Sequence, residues 1–257
     1  MELYHYTTFQ ALDGILDNKE IWLGNLRYMN DRSELTHLSD LIEQALIEEI
    51  PENTDKIKDL FLVQKRRFDN KTAYAFSLST SVDDASQWDR YANGGRGVCI
   101  KFNENKLRKC LEGIASLQEV FYGKDAHEHQ AKELLKEYFL NDNLSGQFMK
   151  VDELFENVWY AAIAHKHSSF SGESEIRICA WPFLKSISIE TMKYITSDKG
   201  LREYYPIKLG SDIDNYIEQI WLGPKSGVDE NLFFRYLQKK QWGAEKILIV
   251  KSQCPLR

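Results

Sequence analysis

The chain has 257 residues, a length near the upper limit of one hydrophobic core, and 43% of them are apolar, with 13 Tyr, 13 Phe and 6 Trp. That content excludes a disordered chain. The formal net charge of −6 excludes a surface that is basic throughout, and leaves room for a local basic groove alone.

Alternating side chains at 2–7 predict a first strand, with His5 on the face opposite Tyr4 and Tyr6. A lone strand histidine reads first as a structural hydrogen-bonder. Thr8 is placed to cap a helix running to about Leu16, and a short strand follows at Ile21–Leu23. Asn30-Asp31 reads as a turn in which Asp31 caps a helix and Glu34 completes a capping box. Apolar residues at 35, 38, 41, 42, 45 and 46 predict that helix, and Pro51 ends it. A basic helix over 55–69 carries Lys65-Arg66-Arg67, read as a solvated face before a phosphate contact.

Ala73–Leu78 predicts a strand leading into Ser79-Thr80-Ser81 and then into a helix opened by Asp83-Asp84. That helix sets Trp88 and Tyr91 three apart on one face, either as core or as a wall on which a base or nicotinamide ring stacks. Gly94-Gly95-Arg96-Gly97 is a turn too short for a phosphate loop, and it feeds a strand at Val98–Phe102. Helices are expected over 125–140 and 147–166, joined by a loop at 141–146. Strict alternation over Glu173–Ala180 puts Glu173, Glu175 and Arg177 on one side of a strand. The tail predicts a strand at Ile220–Leu222, a Gly223-Pro224 turn, a helix over 229–240 and a strand at Lys246–Lys251. Irregular interspersion of helices and strands points to an α+β fold in one elaborated domain spanning 1–257.

Cys99, Cys110, Cys179 and Cys254 form no C-x-x-C pair, so neither a zinc ribbon nor a disulfide framework is expected. His127/His129 and His165/His167 are i, i+2 pairs on expected helices and diverge, so no metal site is expected either. No basic patch with a following apolar stretch opens the chain and no eighteen apolar residues run together, so the expectation is a cytoplasmic protein without a membrane partner. The E-x-E-x-R strand is the most informative local feature. It reads either as a solvated face with cross-strand ion pairs or as a cleft in which a glutamate binds a substrate hydroxyl or acts as a base.

Seven motifs together resemble a widespread bacterial family of uncharacterised proteins: Y-H-Y-T at 4–7, M-N-D-x-x-E at 29–34, S-L-S at 77–79, W-x-x-Y-A at 88–92, G-V-C-I-K-F at 97–102, E-x-E-x-R at 173–177 and W-L-G-P at 221–224. That family is distantly similar to the ADP-ribosyltransferase superfamily, whose split sheet carries a His or Arg on its first strand, an S-T-S element on a middle strand and a glutamate on a later one. His5, Ser79-Thr80-Ser81 and Glu173-x-Glu175 correspond in order. The resemblance implies a split-sheet core with peripheral helices, NAD as substrate without a metal, and transfer of ADP-ribose to a macromolecular acceptor, with RNA or DNA among the candidates. A toxin or phage-defence setting, with an antitoxin as partner, is implied as well.

Under this resemblance the catalytic residues are Glu175, Glu173 and His5. Glu175 binds the ribose 2′-hydroxyl and stabilises the ribosyl cation, Glu173 orients the acceptor, and His5 holds a ribose hydroxyl or the cofactor backbone. Ser79 and Thr80 support the ribose or the glutamate, and Tyr6, Trp88 or Tyr91 supply stacking. Arg177 fixes the carboxylates or meets the pyrophosphate, a role Arg27 takes in the alternative. The superfamily's middle-helix tyrosine has no clear counterpart, because Tyr91 follows the S-T-S tract closely. Two other classes stay open: a non-catalytic ligand-binding or regulatory module, and a hydrolase (NAD glycohydrolase or metal-independent nuclease) using the same cleft.

Overall fold

The structure, a computed structural model, describes residues 1–28, 34–49, 51, 54–69, 73–123, 129, 156–158, 160–180, 189–197, 200–210 and 212–256. Near its start, β1 (Leu3–Thr7) leads into helix α1 (Phe9–Asn18), where the Thr8 hydroxyl accepts the Ala11 N–H at 3.1 Å and satisfies one of the unpaired donors of the first turn. After β2 (Glu20–Asn25) come α2 (Glu34–Glu49) and α3 (Thr54–Asp69), which bury Ile42, Leu46, Ile57 and Phe61 at the spacing of apolar stripes. Then follow β3 (Tyr74–Ser79), α4 (Ala85–Tyr91), β4 (Val98–Phe102), α5 (Glu104–Leu111), β5 (Ser116–Glu119) and β6 (Phe121–Tyr122). The remaining elements are β7 (His165–Lys166), β8 (Glu175–Ala180), β9 (Lys193–Ser197), β10 (Gly200–Lys208), β11 (Ile217–Leu222), α6 (Glu230–Lys240) and β12 (Leu248–Lys251).

Ten of these strands form one mostly antiparallel sheet, and helices lie around it, so the fold is α+β. The sheet forks at β3. One edge of β3 pairs along its whole length with β8, from Tyr74↔Ala180 to Ser79↔Glu175. The other edge is shared: its first residues pair with β2 (Gly24↔Ala75, Asn25↔Tyr74) and its last with β1 (Tyr4↔Ser79). From β1 one arm continues through β4 and β11 to β12, and from β2 the other continues through β10 to β9. Between the arms the Ser77 carbonyl accepts a hydrogen bond from His5 Nδ1 at 2.9 Å, a side chain standing in where β1 and β2 diverge.

Alternation along β1, β3 and β8 decides which side chains share a face. Leu3, Phe76, Leu78, Ile176 and Ile178 fill the main core on one side, with His5 stacked on Phe76 at 4.1 Å between ring centroids. Tyr4, Tyr6, Cys99, Ser79, Glu175 and Arg177 occupy the other side, where Tyr6 packs edge-on against Trp88.

Several sequence expectations change. Glu173 closes a 3-10 helix (Ser168–Glu173), and β8 begins at Glu175, because Ser174 adopts a left-handed conformation (φ 45°) that breaks the alternation. His165 lies in β7 and His167 caps the 3-10 helix, so neither sits on the helix expected to run to 166. The pair β9–β10 and helix α5 were not expected; their apolar periodicity is diluted by Lys, Arg and Glu. Asn30-Asp31, the loop at 141–146 and most of the helix at 125–140 lie outside the described residues. Among the described residues no helix is long and apolar enough to cross a membrane.

Candidate functional site

Glu175 opens β8 directly across from Ser79, the last residue of β3. Two residues on along the same face, Arg177 donates from Nε to Glu175 Oε1 at 2.9 Å and from Nη2 to Oε2 at 3.1 Å. Its Nη1 is tied to the Ile163 carbonyl at 2.6 Å, which fixes the guanidinium plane. Lys166, on β7, reaches between the two glutamates and donates to Glu173 Oε2 at 2.5 Å and to Glu175 Oε2 at 3.1 Å, with its ammonium 4.8 Å from the Phe170 ring centroid. From α4, the Tyr91 hydroxyl donates to Glu173 Oε1 at 2.6 Å and Arg90 Nη1 approaches it at 3.3 Å.

The backbone around the carboxylates is held just as firmly. Ser79 Oγ donates to the Glu173 carbonyl at 2.7 Å, Gln87 Nε2 donates to it at 3.3 Å, and the Glu175 N–H donates to Tyr122 Oη at 2.8 Å. Thr80 N–H bonds the Ser174 carbonyl at 2.9 Å. The S-T-S tract thus grips the turn between the glutamates.

Glu173 and Glu175 are each 4% exposed and Arg177 1%, so this is a buried ionic cluster and not a solvated strand face. Burial pushes the Glu175 carboxyl up, but Arg177 and Lys166 outweigh it and hold the group below the usual carboxylate range. Burial, together with the two glutamates, pushes the Tyr122 hydroxyl up to about 12, and Tyr91 is raised by burial and its bond to Glu173. Tyr91 and Arg90 are the exposed members and mark the solvent side.

Residues 87–178 match the family model described as protein of unknown function (DUF2971). The DUF2971 segment takes in Arg90, Tyr91, Lys166, Glu173, Glu175 and Arg177, so the ionic cluster lies inside it. Over that stretch the likeness to a family of uncharacterised proteins, expected from the motifs, is shown. No curated protein and no solved structure matched.

The structure gathers Glu173, Glu175, Arg177, Ser79, Thr80 and Tyr91, and sets other expected residues apart. His5 does not join them: register places it on the core side of the sheet, with β3 between its strand and that of Glu175. His5 and Glu175, expected to act together as catalytic residues, therefore lie on opposite faces of the sheet. Tyr6 is buried and spends its hydroxyl on the Ser81 carbonyl and the Asp84 N–H, and Trp88, fully buried, donates to Asp83, so neither presents a ring for stacking. Arg177 is sealed against Glu175 and Ile163 and does not meet a pyrophosphate at the surface. Arg27 lies in the 3-10 turn Leu26–Tyr28, and its side chain is outside the described residues. Lys166 and Arg90 were missed. The E-x-E-x-R charge surplus of one carboxylate was the signal that a further cation had to be near. Among the described residues no group of three or more His, Cys, Asp or Glu is placed to hold a metal.

Proposed function

We propose that the protein cleaves NAD at the bond between nicotinamide and ribose and passes ADP-ribose to a macromolecular acceptor, with Glu175 as the carboxylate that stabilises the ribosyl cation. One observation carries this reading: the S-T-S end of β3 faces the first residue of β8, Ser79↔Glu175, at the point where the sheet forks. That arrangement agrees with the split sheet and ordered motifs implied by the sequence resemblance. A carboxylate that stabilises positive charge needs to be ionised, and Arg177 with Lys166 favours that form of Glu175. A general base would call for a raised pKa. Tyr91, the exposed partner of the buried Glu173, offers its ring to the nicotinamide, and Glu173 orients the acceptor. Both carboxylates are covered by their partners, so a bound substrate has to displace Lys166 from Glu175. His5 supports the fork in this reading and touches nothing that reacts.

The test is incubation of the purified protein with NAD labelled in the adenylate half and with total RNA, DNA or protein. Wild type is expected to label one acceptor class, and Glu175→Gln to reduce labelling by about 10²-fold or more while keeping a cooperative melt. Release of nicotinamide without a labelled acceptor makes the protein a hydrolase. Absence of both label and nicotinamide release overturns the reading. It then favours the second one, a non-catalytic module in which Lys166, Arg90 and Arg177 are structural partners, a reading supported by the 4% exposure of both glutamates.

A further inference from the structure

The arm β2–β10–β9 has two very different sides. Ile21, Leu23, Tyr205 and Ile207 turn inward and are buried in the main core. Register puts the alternate residues on the outer side: Glu20 pairs with Lys208, Gly24 with Tyr204, and Tyr204 in turn with Lys193. Trp22 and Arg202 lie two residues along from these and share the face. In a chain of net charge −6 this face carries Lys193, Arg202 and Lys208 against one carboxylate, Glu20.

Its aromatic rings are held in place. Trp22 Nε1 donates to Glu20 Oε2 at 3.0 Å, Lys193 bonds the same oxygen at 2.7 Å and lies 5.2 Å from the Trp22 ring centroid, and Tyr204 stands 5.9 Å from Trp22 at a 42° tilt. The Tyr204 ring packs over Gly24, its Cε1 lying at ordinary contact distance, 3.8 Å, from where a Cβ would sit. At the end of the arm Arg202 bonds the Tyr28 carbonyl at 3.1 Å, beside a Tyr28 ring that is 47% exposed.

We infer that this outer face binds single-stranded nucleic acid, with the rings as stacking partners for bases and the three cations set along the phosphate backbone. Unstacked bases present flat apolar surfaces to aromatic side chains whatever their sequence, while cations alone serve the backbone. An acidic peptide would use the charges and leave the rings without work. A duplex hides its base faces. The same side of the sheet carries Ser79 and Glu175, through Gly24↔Ala75 on β3. The inference therefore rests on and narrows the reading above: the acceptor is single-stranded RNA or DNA.

The experiment is fluorescence anisotropy of end-labelled single-stranded RNA and DNA oligonucleotides, and of a duplex, across a salt series and without NAD, so that it stands or falls independently of transfer. Wild type is expected to bind single strands in preference to duplex. Trp22→Ala and Tyr204→Ala are each expected to weaken binding by about fivefold or more. Arg202→Gln and Lys208→Gln, which leave the rings alone and guard against a variant that fails to fold, are each expected to flatten the slope of log affinity against log salt by about 0.7. Arg66→Gln, on the basic helix α3, is expected to change nothing. Absence of binding, equal binding of duplex, or loss confined to Arg66→Gln overturns the inference. Binding without any NAD turnover supports the surface and removes the transferase.

Discussion

At the scale of single residues, His5 shows how position converts one side chain into a pH-sensitive support. A backbone carbonyl can only accept, so the bond to Ser77 puts the ring proton on Nδ1 and leaves the lone pair on Nε2. Burial pushes the imidazole down to about 4, against an opposing pull from Ser77. In the unfolded chain the ring titrates near 6.5. Between these two values the unfolded chain holds a proton that the native protein refuses, so stability falls as pH drops from about 6.5 toward 4 and then levels off. The loss amounts to at most about 3 kcal/mol. Chemical denaturation at pH 7 and pH 4.5 is expected to show this decline in wild type and a smaller one in His5→Gln. Glu175 acts in a lower window, because its depressed pKa contributes stability that is present above the ordinary carboxylate value and disappears as pH falls below it. An equal decline in His5→Gln would mean that the histidine does not carry the effect.

Among the elements, the junctions between strands decide the site more than the strands themselves. The Gly94-Gly95-Arg96-Gly97 turn owes its glycines to close approach as well as to conformation: a Cβ at Gly97 would sit 2.1 Å from the Thr7 carbonyl oxygen and 3.0 Å from that of Ala92. Gly97→Ala is therefore expected to destabilise the protein by roughly 2–4 kcal/mol, since both obstacles are backbone. Gly94→Ala meets nothing nearer than an arginine tip at 3.6 Å and bears mainly the cost of its positive φ, about 1 kcal/mol. Urea melts of the two variants check the order, and equal losses would show that conformation and not crowding governs the turn. The same logic applies at Ser174, whose left-handed backbone lets Glu173 leave the strand and still meet Lys166 beside Glu175.

For the whole molecule, the fork is the organising feature. Strands from near both ends of the chain meet in one sheet, with β1 beside β4 and β11 beside β12, so neither arm closes the core without the other. Thermal unfolding followed by far-UV circular dichroism and by tryptophan fluorescence is expected to give coincident single transitions. Two separated transitions would mean that the arms melt independently.

Periodicity and capping chemistry alone located most of the local structure. The Thr8 cap, the apolar stripe of α2, the Asp84 start of α4 and the run Val98–Phe102 are short-range signals, and the structure contains each element close to where the residues place it. The charged strand was also visible, because alternation needs no more than neighbours. Which charges meet was not, since Lys166 reaches Glu175 from a two-residue strand that carries almost no periodic signal. Sheet order decided on which side of β3 His5 falls and which cations close around Glu173, for strand pairing is set by packing across long separations in the chain and leaves no pattern in any one segment.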